Sequence, residues 1–234
     1  MQTSRTLEAR TLSVASVYMR HVYTWMTAGL SVTSVVALAV AGSPALQQMI
    51  FSNFIVMIAL IVAQFGIVIA LSAAVHKMSA TMATGMFMLY SVLTGLTLSS
   101  IFIVYPIGAI ANAFITAAGM FLAMSIYGTV TKRDLSGMGN FLFMGLIGII
   151  IASIVNIFLG SSMMDFVISV VGVIVFTGLT AYDTNKLRQF GAGAPLDDAV
   201  AIRRGAILGA LTLYLDFINL FLMLLRLFGG NSND

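Results

Sequence analysis

Seven long apolar stretches dominate the chain. They run over Tyr23–Gly42, Asn53–Val75, Met82–Tyr105, Ala109–Val130, Asn140–Leu159, Phe166–Thr184 and Gly205–Phe228. Each approaches or exceeds the roughly 20 residues that a helix needs to cross the hydrocarbon core of a bilayer. The three prolines, Pro44, Pro106 and Pro195, all fall between stretches, where a residue that removes a backbone donor does no harm. Only 8% of the residues are charged, against about 25% in a soluble domain. A soluble globule of this length could not be coated with solvated groups, and the mean hydropathy of +1.05 agrees. A transmembrane barrel would read as alternating segments of about 10 residues, and the runs here are continuous. With no Cys, disulfides, thiolate catalysis and Cys-held metals are excluded. The expected fold class is an all-α integral membrane protein with seven transmembrane helices.

Charge placement predicts the topology. With the N-terminus in the cytoplasm, Arg5, Arg10, Arg20, Lys77, Lys132, Arg133, Lys186, Arg188, Arg203 and Arg204 face inward, and only Arg226 faces outward. An odd number of spans fits this bias and leaves the C-terminus external. Residues 1–22 are expected to form a cytoplasmic tail, residues 23–228 the transmembrane domain and residues 229–234 a short external tail. Leu7, Val14, Tyr18 and Val22 fall near one helical face, so the Arg5–Val22 segment is expected either to lie on the membrane surface or to be a partly ordered tail. Ala39-Val40-Ala41 resembles a signal-peptide cleavage site, but the apolar run before it exceeds the about 7–15 residues of such peptides, so the first helix is expected to be retained. The longest connection, Asn185–Arg204, is polar. Small residues four apart, at Ser91, Gly95 and Ser99 and at Gly205 and Gly209, read as close helix packing, and the 16 Met as flexible gap filling.

Few ionisable groups fall within the stretches. Asp216 lies mid-helix in the seventh, within Tyr214-Leu215-Asp216-Phe217-Ile218-Asn219, and Asp183 near the cytoplasmic end of the sixth, within Thr180-Ala181-Tyr182-Asp183-Thr184. Asp165 sits at an outer boundary. A carboxylate at the bilayer centre is costly, so it should face the bundle interior, have a partner and mark an ion or proton path. A structural hydrogen bond is the plain alternative for Asp216, and a solvated helix-end acid near Lys186 for Asp183. Counted from the outer helix ends, Asp183 lies about 26 Å deep and Asp216 about 18 Å. That offset opposes direct contact unless tilt or shifted boundaries close it.

Several chemistries are excluded. Tyr182-Asp183 matches half of the intramembrane aspartyl protease signature, but Leu213-Tyr214-Leu215-Asp216 stands where Gly-x-Gly-Asp is required, and no Pro-Ala-Leu element occurs. There is no His-Glu-x-x-His and no phosphate-binding loop. The chain is not expected to be an enzyme. The basic residues are accounted for by topology, which leaves no nucleic-acid surface.

Four segments together resemble the transmembrane Bax inhibitor motif (Bax inhibitor-1) family. They are Leu89-Tyr90-Ser91-Val92-Leu93-Thr94-Gly95-Leu96-Thr97-Leu98-Ser99, Thr129-Val130-Thr131-Lys132-Arg133-Asp134-Leu135-Ser136, Leu179-Thr180-Ala181-Tyr182-Asp183-Thr184 and Leu213-Tyr214-Leu215-Asp216-Phe217-Ile218-Asn219-Leu220-Phe221. The last is the most specific, and the likeness runs from the second stretch to the C-terminus. The resemblance implies a bacterial cytoplasmic-membrane protein with seven helices and the seventh in the centre. It also implies that Asp183 and Asp216 form the family's aspartate pair in contact, with His76-Lys77 as a candidate basic latch. A lysine there gives a single-point contact where an arginine would give a bidentate one.

Some family members are associated with a pH-sensitive calcium leak, others with survival or with membrane proteases. Two functions follow as expectations. The first is a calcium or cation leak of the cytoplasmic membrane. Asp183 and Asp216 share a proton, sense pH and form a weak calcium site, with Asn219 and Tyr182 as supporting polar residues. Calcium takes about 6–8 oxygen ligands, so two carboxylates suit passage better than storage. The second is a non-conducting interaction protein that regulates a membrane partner, such as a quality-control protease, through Arg5–Val22 or Asp197–Arg204. No resident cofactor is expected; calcium enters only as a transported or weakly held ion.

Overall fold

A computed structural model describes residues 2–131, 133–193 and 199–230, with the side chains of residues 14–131, 133–193 and 200–230. The elements are α1 (Gln2–Ala41), α2 (Pro44–Phe51), α3 (Phe54–Ala74), a 3-10 turn (Val75–Lys77), α4 (Ala80–Leu98), α5 (Ile101–Val104), α6 (Ile107–Val130), α7 (Ser136–Leu159), α8 (Ser162–Ala192) and α9 (Ala199–Gly229). Among the described residues there is no strand. Seven segments are long and apolar enough to cross a membrane: Val14–Ala41, Phe54–Lys77, Ala80–Val104, Ile107–Val130, Ser136–Leu159, Ser162–Ala192 and Val200–Gly229. Bulky side chains on their outer faces, such as Ile157 and Phe158, are exposed and are suited to lipid. The protein is an all-α integral membrane protein.

Local chemistry sets most helix ends. Asn53 Oδ1 accepts from Ile55 N at 2.9 Å and Ser79 Oγ from Met82 N at 3.1 Å, so each caps the helix that follows. Pro44 stands at the start of α2 and Pro106 just before α6. Gly160 ends α7 with φ +59°, a left-handed conformation that suits a residue without Cβ.

Three boundaries differ from the sequence expectation. First, α1 does not begin near Tyr23; it runs unbroken from Gln2, because no Gly or Pro occurs before Gly29. Val14, Tyr18 and Val22 are core residues, so this face packs against protein rather than resting on the membrane surface. Second, the third span is broken at Ser99-Ser100. Both hydroxyls there donate to carbonyls of their own helix, Leu96 O at 2.6 Å and Thr97 O at 2.8 Å, and such bonds bend a helix. Third, the connection Asn185–Arg204 is shorter than expected, since α8 continues to Ala192 and α9 starts at Ala199. A helix need not stop where its apolar run stops, and Asn185–Gln189 simply carries α8 past it. Of the expected Asp197–Arg204 surface, Asp197 and Asp198 lie outside the described residues, as do Lys132 and the last four residues of the chain.

The chain forms two compact units. One comprises the residues up to Val104 with Leu187–Tyr214; the other comprises Tyr105–Lys186 with the residues from Leu215 on. Both α8 and α9 contribute to each. In the first unit α1 and α4 approach closely: a Cβ on Gly95 would lie 2.7 Å from Thr33 O and from Val36 Cβ. Thr33 Oγ1 donates to Ser91 O across the same seam at 2.9 Å. The small residues of α4 therefore serve packing, as the sequence predicts. In the second unit α8 is packed by glycines of α6 and α7, with Gly128 against Ala181 and Thr184, Gly139 against Tyr182 and Gly145 against Val175. The seventh span is the most enclosed, 67% buried against 11–39% for the other six.

Candidate functional site: a carboxyl pair within the spans

The second unit brings Asp183 and Asp216 together. Asp216 lies on α9 between Tyr214 and Phe217, only 5% exposed, and Asp183 lies half-buried on α8. Their carboxyl groups lie against each other. The second oxygen, Asp216 Oδ2, is buried without a hydrogen-bond partner.

The depth offset does not prevent this contact. Gly172 packs against Met223. Counted from that level, Asp183 lies eleven residues along α8 and Asp216 seven residues along α9, which leaves about 6 Å at 1.5 Å per residue for the two side chains to span.

Aromatic packing holds the α9 side of the pair. Phe217 packs edge-on against Phe114 and Phe121 of α6, with ring centroids 5.5 and 5.6 Å apart. On the α8 side, Asn185 Nδ2 donates to Gly128 O at 2.9 Å and fixes the last turn of α6 against α8. The cation nearest in sequence to the pair is Lys186, one turn beyond Asp183. It interacts with that carboxyl and stands 5.7 Å from the centre of the Tyr182 ring.

Three hydroxyls in this unit escaped the sequence reading. Ser and Thr in helices commonly donate to the carbonyl four residues back, as Thr180 does to Phe176 O at 2.8 Å. Ser125 Oγ, Thr177 Oγ1 and Thr184 Oγ1 do not; all three are buried and without a partner. Thr184 packs on Gly128, and Ser125 lies one turn before that glycine on α6.

Asn219 Nδ2 donates to Leu215 O of its own helix at 2.8 Å, and the Tyr182 ring packs on Gly139. His76 and Lys77 form the 3-10 turn after α3, in the first unit. The carbonyls of this turn are held by Arg204 of α9, whose Nη1 donates to His76 O at 2.7 Å and Met78 O at 3.1 Å. Outside the spans, Ser136 donates to the Asp134 carboxylate, with its backbone N–H at 2.9 Å. These bonds hold the Asp134 carboxyl below its usual range.

Among the described residues, no group of three or more His, Cys, Asp or Glu comes together. The pair brings together two carboxyls, against the about 6–8 oxygen ligands that calcium takes.

Residues 15–233 match the family described as "Inhibitor of apoptosis-promoting Bax1". The chain belongs to this family. It is 58% identical over 213 residues to the "Inner membrane protein YbhL" of Escherichia coli, covering 91% of each chain. It is 46% identical to a protein of Borreliella burgdorferi, covering 98% of each. A protein of Deinococcus radiodurans is 40% identical over the full 234 residues, covering 98% of that relative. The Bax inhibitor-1 match spans every membrane-crossing helix and both aspartates.

Proposed function

We propose that the protein is a pH-sensitive calcium or cation leak of the cytoplasmic membrane, with the Asp183–Asp216 pair as its proton sensor and weak cation site. The observation that carries this reading is Asp216 itself. An acid enclosed within a span, with one oxygen unpartnered, is costly to keep for packing alone and is characteristic of ion and proton paths. Two carboxyls in contact cannot both ionise cheaply, so their protonation is coupled. Mild acidification returns the shared proton, weakens the hold of the pair on a basic group and favours opening, so flux rises as pH falls. Stronger acid neutralises both carboxyls and removes the cation site, so flux then declines. The unpartnered hydroxyls of Ser125 and Thr184 are available oxygens in the same unit.

Purified protein in liposomes loaded with a calcium-sensitive dye tests the proposal. Acid-stimulated flux absent from protein-free liposomes is expected. No flux at any pH would favour the other reading, in which the pair only pins α9 and the protein acts by binding a membrane partner such as a quality-control protease.

A further inference from the structure

A second polar site lies in the second unit, around the end of α9 and the start of α8. A cavity of about 690 Å³ is lined there by Tyr105, Met163, Asp165, Phe166, Arg226 and Leu227, among others. This lies within the range of about 300–1,000 Å³ typical of small-molecule sites. Its two charged groups differ in how they are held. Asp165 is fixed: its Oδ1 accepts from Asn156 Nδ2 at 2.8 Å. Asn156 is itself 6% exposed and clamps the α7–α8 turn, donating to Ser161 O at 3.1 Å and accepting from Ser161 N at 3.0 Å. Arg226 is exposed, and its guanidinium makes no hydrogen bond or ion pair with any described residue. A cation and a carboxylate thus line one cavity without neutralising each other, beside the hydroxyl-bearing Ser162 and Ser169 and the apolar Met163, Phe166 and Leu227.

We infer that this cavity binds the headgroup of a zwitterionic aminophospholipid of the phosphatidylethanolamine type. Three features select it. Arg226 presents a planar fork suited to a phosphodiester. Asp165 presents a positioned acceptor for a primary ammonium. Met163 and Phe166, 71% and 58% exposed, continue the cavity wall onto the outer surface of α8 and suit the first carbons of an acyl chain. Both charges lie at the ends of membrane-crossing helices, where headgroups are found. An anionic headgroup with no amine would meet Arg226 but be repelled by Asp165. A choline headgroup would carry the charge without an N–H to donate.

Native mass spectrometry of the full-length protein, offered phosphatidylethanolamine, phosphatidylcholine and phosphatidylglycerol with identical chains, tests this. The wild type is expected to retain phosphatidylethanolamine in preference to both others. Arg226→Gln is expected to lower that retention about tenfold, the loss of one charge-assisted contact. Asp165→Asn is expected to abolish the preference over phosphatidylglycerol. Arg226 has no described partner, so its variant should melt with the wild type and report on binding alone. Equal retention of phosphatidylglycerol by the wild type would overturn the inference, as would unchanged retention by Arg226→Gln. Displacement of the lipid by an equal concentration of free phosphoethanolamine would overturn it too, by making a soluble phosphoester the ligand.

Discussion

Asp183 of α8 and Asp216 of α9 set their carboxyls against each other, and a hydrogen bond between two carboxyls exists only while one of them carries a proton. Loss of that proton leaves two acceptors facing each other and no donor between them. Within the second unit, the packing of Phe217 on α6 and of the α6 and α7 glycines on α8 limits how far the carboxyls can part. Protonation and helix packing are coupled there for this reason.

The α6–α8 seam gives one direct test. Gly128 meets Ala181 O and Thr184, leaving no room for a side chain. Gly128→Val should push the helices apart and break the bond from Asn185 to Gly128 O. Overpacking of this kind costs about 1–3 kcal/mol, so the melting temperature in detergent should fall. Gly119, with nothing within 4 Å of its added Cβ, is the control: Gly119→Ala should melt with the wild type.

In the first unit Tyr214, two residues before Asp216, is buried. Its hydroxyl lies 2.6 Å from Thr33 Oγ1. Since Thr33 gives its single proton to Ser91 O, Tyr214 is the donor. Tyr214→Phe removes that bond and keeps the ring contacts with Phe87 and Tyr90. A loss of about 0.6–1.7 kcal/mol is expected, the range of interhelical hydrogen bonds in membranes. Thermal unfolding in detergent measures it. The pH dependence of flux should stay unchanged, because Tyr214 takes no part in the carboxyl bond.

The basic turn after α3 separates two roles. Arg204→Ala frees the carbonyls of His76 and Met78 and should speed amide exchange across the turn. The double variant His76→Gln, Lys77→Gln keeps that backbone clasp and removes both basic groups. If they restrain opening, it leaks at neutral pH with little further response to mild acid. A double variant that stays closed and still opens on acidification would place the restraint elsewhere, with Lys186 beside Asp183 the next group to change.

The fold class was legible because apolar run length is set directly by membrane thickness, and the seven runs appear as seven spans. The aspartates were legible because charge inside such runs is rare. Their contact was not, since a depth count leaves the two residues about 6 Å apart along the helices and says nothing of how their side chains reach across. Nor was the continuity of α1: Arg5–Val22 is polar enough to read as a tail, and only tertiary packing shows that Tyr18 and Val22 are core. The unpartnered hydroxyls of Ser125 and Thr184 left no sequence signal, because a helical Ser or Thr looks the same whether it bonds its own backbone or not. Arg204 was read as a topology charge, and its clasp on the turn at His76 spans too much sequence to be inferred from spacing.

The central claim is that the carboxyl pair senses the proton. Its most direct test is calcium flux into liposomes across a pH series for the wild type, Asp216→Asn and Asp183→Asn, each verified as folded. Asn keeps the shape of Asp and removes its titration, so each variant should lose the acid-stimulated rise that the wild type shows. Folded variants whose flux follows pH as the wild type does would contradict the account and leave the pair a structural bond between α8 and α9.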